Sequence, residues 1–194
     1  MLIFEDIVEY INKQYELSGN QLGWRFLSMP KERIIKNNGI YLITLNPGGN
    51  KIPADHPISS SENGCAYIIE SWNGYPIGDA PLQKQIQGMF YEIAFLTKSN
   101  YSEVINQALI GHFIPFRSPS YKELKYKEFS IQVGRKIWQN IITENIPSLI
   151  ICIDNVTFNN IGEILSIDLK FEKIQSSKID RKSTRLNSSH GIIS

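Results

Sequence analysis

Ile40-Tyr41-Leu42-Ile43-Thr44-Leu45-Asn46-Pro47-Gly48-Gly49, the stretch IYLITLNPGG, decides how this chain is read. Ile40 to Leu45 is a short apolar run rich in β-branched residues, closed by Pro-Gly-Gly. That combination predicts a buried strand that ends abruptly in a turn. A strand with no polar alternation is buried on both faces, which is the habit of parallel sheets covered by helices.

The segments on either side fit that reading. Upstream, Ile3, Ile7, Tyr10, Ile11 and Tyr15 have the spacing of an amphipathic helix. Downstream, positions 50 to 81 are rich in Pro, Gly, Ser and Asn and read as a long loop with little regular structure, a kind that is usually functional. Pro81 suits the first position of a helix, and Leu82, Ile86, Phe90, Ile93 and Ala94 continue it at helical spacing. Ala108 to Ile114 predicts a second strand that again runs into Pro. Phe129, Val133, Ile137 and Ile141 predict a long helix ending near Asn145-Ile146-Pro147. Leu149 to Ile153 then predicts a third strand, Phe158 to Leu165 a short helix, and Leu169 to Ile174 a fourth strand. Alternation of this kind predicts a three-layer α/β/α domain around a central, mostly parallel, four-stranded sheet. Sites in such sheets lie beyond the carboxyl ends of the strands, so the loops opening at Asn46, Pro115 and Asp154 should gather at one edge.

Composition narrows the class. The chain has 194 residues, 42% hydrophobic and 20% charged, which suits one globular domain. A domain of that size buries roughly 70% of its unfolded surface and needs no disulfide or metal staple. Two cysteines, Cys65 and Cys152, are too few for a four-thiolate cluster, and their apolar company (GCAY, LIICID) predicts core packing. No apolar run reaches the roughly 18 residues of a membrane span, and no basic region precedes the apolar start, so a cytoplasmic protein is expected.

The last fifteen residues, Asp180 to Ser194 (DRKSTRLNSSHGIIS), read differently. Asp180 to His190 match the translation of a common short-read sequencing adapter, and an index would supply the remainder. The domain is therefore taken as residues 1–179, with 180–194 as a sequencing artefact. Without that tail Lys+Arg falls from 20 to 17 and Asp+Glu from 19 to 18, turning +1 into −1. Bulk charge thus does not advertise nucleic-acid binding, and any basic surface must be local.

Several chemistries are absent from the pattern. No Gly-Lys-Ser/Thr follows Gly48-Gly49, which excludes a phosphate-binding loop of the Walker type. No dinucleotide fingerprint and no Ser-His-Asp or Cys-His arrangement stands out; before the tail the only histidines are His56 and His112. Asn-Pro-Gly by itself is a common turn, and Asn46 could be a polar strand-end cap.

The order of the segments is more specific. LITLNPGG, GCAY, APLQKQIQGMFYEI, ALIGHFIPFRSPS and LIICIDNVTF, in that sequence, resemble the uracil-DNA glycosylase superfamily over residues 40 to 160. In that family the first strand ends in a motif bearing the water-positioning residue. It is Asp in the uracil-specific branch (GQDPYH-like) and Asn in the mismatch-specific and single-strand-selective branches (NPG-like). The resemblance implies that Asn46 is the catalytic residue and that Tyr67 stacks on the extruded base, unless it is a core tyrosine. Gly48, Gly111, His112 and Phe113 would also contact the base. Gly49, Arg117, Ser118 and Ser120 would grip DNA phosphates, unless PFRSPS is a turn capping the next helix. Lys122, Lys125 and Lys127 could extend a basic strip or form a solvated helix face. No cofactor or metal is implied, and the protein is expected to act as a monomer on DNA carrying a modified or damaged base.

Three departures from the family pattern bear on substrate. Uracil-specific members carry a Tyr two places after the catalytic residue, which screens out bases substituted at C5; here that place is Gly48. The base-reading Asn near the end of the second strand is missing, with Gly111 or His112 in its place, and neither reproduces the bidentate amide pattern that selects uracil. The family's closing His-Pro-Ser-type loop has no counterpart before the tail begins. A base larger than uracil, such as a 5-substituted cytosine, is the expectation. Family members that excise glucosylated or hydroxymethylated cytosine act in anti-phage defence. The loop residues Asp55, His56, Glu62, Asn63, Trp72, Asn73 and Asp79 could bind a sugar or simply be solvated. The alternatives are uracil or mismatch repair, and a non-catalytic member of the fold that binds modified DNA.

Overall fold

The computed structural model describes residues 4–34, 39–50 and 63–166, together with the backbone of 191–193. Its sheet is built on three parallel strands, β1 (Ile40–Thr44), β2 (Leu109–His112) and β3 (Leu149–Cys152), in the order β2-β1-β3. The IYLIT run is therefore the middle strand, in register with Leu109 to His112 on one side and with Leu149 to Cys152 on the other. Among the described residues six α-helices accompany it: α1 (Phe4–Ser18), α2 (Ala66–Ile69), α3 (Pro81–Thr97), α4 (Tyr101–Gln107), α5 (Lys127–Glu144) and α6 (Asn155–Leu165). None of the described helices is long and apolar enough to cross a membrane.

Strand alternation sends side chains to two cores. Tyr41, Ile43, Leu109, Ile150 and Cys152 pack with Ile7 and Ile11 of α1, Val133, Ile137 and Trp138 of α5, and Phe158 and Ile161 of α6. Leu42, Ile110 and Ile151 pack on the opposite face with Tyr67 of α2, Ile86 and Phe90 of α3 and Ile105 of α4. Helices thus cover both faces, as continuous apolar strands require. Cys65 and Cys152 are buried free thiols, and burial drives the Cys65 thiol up to about 12, so both act as small core residues.

Local chemistry explains the helix ends. Pro81 opens α3, and the Gln83 side chain accepts from the Ala80 amide at 3.0 Å. Asn100 caps α4 by accepting from Glu103, and Asp154 caps α6 by accepting from the Thr157 amide at 2.8 Å. α4 was not expected, and α2 interrupts the stretch read as a loop.

The outer edge of β2 is not left open. Residues Trp24 to Ser28 run antiparallel beside it, with the His112 amide donating to Phe26 O at 2.8 Å and the Ser28 amide to Ile110 O at 2.9 Å. On the far side the backbone of Gly191–Ile193 pairs antiparallel with β3. Those three residues belong to the tail read as an artefact, and an open strand edge accepts any extended segment. The fourth strand expected at 169–174 lies outside the described residues.

Candidate active site

Beyond the sheet the chains leaving β1 and β2 stay joined. The Phe113 amide donates to Thr44 O at 2.7 Å, Ile114 to Leu45 O at 2.8 Å, and Ser118 to Pro47 O at 3.2 Å. The Asn46 turn and the PFRSPS loop are in this way held side by side at the carboxyl edge, as parallel topology dictates.

Asn46 sits at the centre of this junction, partly buried. Its Nδ2 donates to Pro47 O and to Ser118 Oγ, both at 3.0 Å, with Ser118 O at 3.5 Å. Ser118 Oγ in turn donates to Ser120 O at 2.8 Å, and Ser118 is only 3% exposed. Arg117 reaches across to Gly48 O through Nη1 at 2.5 Å, while its Nε is buried without a partner. Burial is the main cause lowering the Arg117 pKa, with Arg25 adding repulsion. Gly49 adopts φ +106°, which an L side chain rarely tolerates, and it lies under the Arg117 guanidinium. Among the described residues, a Cβ built on Gly48 meets nothing within 4 Å.

On the α2–α3 face of the same edge, Thr44 Oγ1 and His112 Nδ1 are 2.7 Å apart. The Thr44 hydroxyl also interacts with the Tyr67 phenol. His112 is 8% exposed, and its pKa lies well below the usual value, first through burial and then through the Arg25 and Arg117 charges. A neutral imidazole donates at one ring nitrogen and accepts at the other, and the Thr44 hydroxyl can serve Nδ1 in either tautomer. Tyr67 is 1% exposed and meets Trp72 edge-to-face at 5.0 Å; burial pushes its phenol pKa far up.

Behind His112 lies an ion pair absent from the sequence reading. Arg25 grips Glu70 through Nη2–Oε1 at 2.6 Å and Nη1–Oε2 at 3.1 Å, and its Nε donates to Leu27 O at 3.1 Å. Trp72 Nε1 donates to Glu70 Oε2 at 2.7 Å. With side chains 9% and 13% exposed, the pair is nearly dry and shares every polar atom it can. Gln83 donates to Ala66 O and Glu70 O, and Gln87 to Tyr67 O and Gly78 O, so α3 holds α2 and its tyrosine in place.

The expected residues therefore divide. Asn46, Gly48, Gly49, Arg117 and Ser118 come together, and His112 and Tyr67 meet around Thr44. Gly111 and Phe113 face the other way: a Cβ on Gly111 would meet Phe26 O at 3.1 Å and Trp138 at 3.3 Å, and Phe113 belongs to the α5 core. Ser120 donates to Glu123 at 2.8 Å, a turn-capping contact rather than an open phosphate ligand. Lys122 and Lys125 are exposed, and Lys127 bonds Lys122 O. The Asp154 carboxylate is engaged by Thr157 through both oxygens. Asn63 and Asn73 are exposed and Asp79 pairs with Lys84 at 3.4 Å, whereas Asp55, His56 and Glu62 lie outside the described residues. A separate groove of about 460 Å³ between α1, α5 and α6 is lined by Tyr10, Arg135, Lys136 and Glu163, and no residue of this junction lines it. No protein-family model matches the chain, and no curated protein or solved structure matches it.

Proposed function

We propose that this chain is a DNA glycosylase of the Asn-type uracil-DNA glycosylase kind, which flips a modified pyrimidine out of DNA and hydrolyses its N-glycosidic bond. The preferred base is a 5-substituted cytosine such as glucosylated hydroxymethylcytosine, and the setting is anti-phage defence in the cytoplasm.

The observation that carries this reading is the orientation of Asn46. Its NH₂ is turned inward onto Pro47 O and Ser118 Oγ, which leaves Oδ1 as the acceptor available to a water. Water held there attacks C1′ of the extruded nucleotide as the bond to the base nitrogen breaks; the electron pair leaves with the base, and the proton lost by the water ends on that departed base. A neutral amide is a poor base, so the barrier falls mainly by stabilising the departing anion and the cationic sugar. Arg117, half-buried over Gly48 and Gly49, supplies a positive charge fit for a backbone phosphate. His112, kept neutral and hydrogen-bonded to Thr44 at the carboxyl edge of β2, would offer the base a hydrogen bond without a repelling charge. Among the described residues nothing crowds a Cβ at Gly48, which would leave room for a substituent at C5.

The test is incubation with duplex and single-stranded DNAs containing uracil, hydroxymethylcytosine or glucosylated cytosine, followed by alkaline cleavage at abasic sites. Cleavage confined to the substituted cytosines supports the proposal. Efficient cleavage of plain uracil DNA with none of glucosylated DNA would overturn its substrate assignment.

A further inference from the structure

We infer that Ser118 is the positioning residue of Asn46: its hydroxyl fixes which amide atom faces the water and makes asparagine, not aspartate, the residue this junction accepts. The inference rests on the glycosylase reading and adds to it a residue first expected to hold phosphate.

A serine hydroxyl has one proton, and that of Ser118 is engaged by Ser120 O at 2.8 Å. Toward Asn46 the Ser118 oxygen can therefore only accept. The side-chain atom of residue 46 that points this way meets Ser118 Oγ at 3.0 Å, Pro47 O at 3.0 Å and Ser118 O at 3.5 Å, all acceptors. Only an NH₂ satisfies such a ring of oxygens, so Oδ1 is forced outward. A carboxylate would place a charged oxygen against the same acceptors and would be driven towards its protonated form. The acceptors cannot readily move aside. Ser118 is 3% exposed, its amide is tied to Pro47 O at 3.2 Å, and the preceding Arg117 amide to Gly23 O at 3.1 Å. At that burial, with both hydroxyl bonds inside the protein, Ser118 has no free group for a phosphate.

The test uses the full chain with a duplex carrying one glucosylated hydroxymethylcytosine, read as single-turnover rate against pH, DNA affinity by anisotropy, and exchange of the Asn46 side-chain NH₂ by NMR. Ser118→Ala should slow the rate by about 10-fold, the equivalent of one well-oriented hydrogen bond, while DNA affinity stays put. Ser118→Thr, which keeps the hydroxyl, should recover most of the rate. Asn46→Asp should be slow, with a pH profile displaced to higher pH than a free carboxylate gives, and should lose less in the Ser118→Ala background than in wild type. The Asn46 NH₂ should be protected from exchange in wild type and lose that protection in Ser118→Ala. If wild type makes abasic sites, yet Ser118→Ala matches it and Asn46 NH₂ exchanges alike in both, the positioning role is overturned. If Ser118→Ala loses DNA affinity instead of rate, Ser118 is a phosphate ligand and the inference fails. If wild type makes no abasic sites in any DNA, the glycosylase reading fails, and the exchange comparison still decides whether Ser118 orients Asn46.

Discussion

At the scale of single residues, Asn46 and Gly48 were legible because a strand closing on Asn-Pro-Gly-Gly announces its own turn. Their neighbours were not. Thr44 is the one aliphatic hydroxyl in an otherwise apolar strand, and period-two alternation puts it on the face of Leu42, but nothing local says that His112 will arrive 2.7 Å away. Ser118 read as a phosphate ligand for a similar reason: a hydroxyl in a Pro- and Ser-rich loop shows its chemistry but not its partner. The space at Gly48 yields a prediction of selectivity. Because a Cβ there meets nothing within 4 Å among the described residues, Gly48→Tyr should fold normally. It should reduce cleavage of glucosylated cytosine relative to uracil by at least about 10-fold in competition assays, since it fills the room a C5 substituent needs. Equal loss on both bases would mean that the open space at Gly48 is not the base pocket.

At the scale of elements, strands and long helices followed from apolar spacing, since β1, β2, β3, α1, α3, α5 and α6 each bury a periodic face. Besides the four-residue α2, two further features escaped. The seven-residue α4 is too short to display more than one apolar turn, and Trp24 to Ser28 becomes an edge-covering segment only because β2 needs its outer groups paired. Arg25 in GWRFL is a lone charge in an apolar run, and its partner Glu70 lies 45 positions away. Glu70→Ala should lower unfolding free energy by about 3–5 kcal/mol in urea titrations, because Arg25 would be left buried and unpaired. A loss below about 1 kcal/mol would mean water reaches the pair. Gly134 of α5 marks another tight join: a Cβ there would overlap the Phe113 carbonyl. Gly134→Ala should therefore cost about 1–3 kcal/mol despite its better helix propensity, measured the same way.

At the scale of the whole molecule, burial of a neutral histidine couples folding to pH. The folded His112 pKa lies well below the unfolded value of about 6.5, so the unfolded chain binds the extra proton first. The stability this contributes is complete above that value and is lost as pH falls below it, by up to about 1.4 kcal/mol per pH unit. Asp154 works oppositely, because burial raises its pKa and the folded chain there takes up the proton first as pH falls. Urea titrations from pH 7 to 5 should therefore show falling stability in wild type and a flatter curve in His112→Asn. An unchanged slope would place the acid sensitivity elsewhere. The central claim is that an asparagine at the end of the middle strand directs water to a flipped base. Its most direct measurement is abasic-site formation in glucosylated-cytosine DNA by wild type and Asn46→Ala. The account predicts abasic sites with wild type, and a rate about 100-fold lower or more for Asn46→Ala with DNA binding retained. Abasic sites absent from every modified and uracil-containing DNA, or an Asn46→Ala variant as fast as wild type, would contradict it.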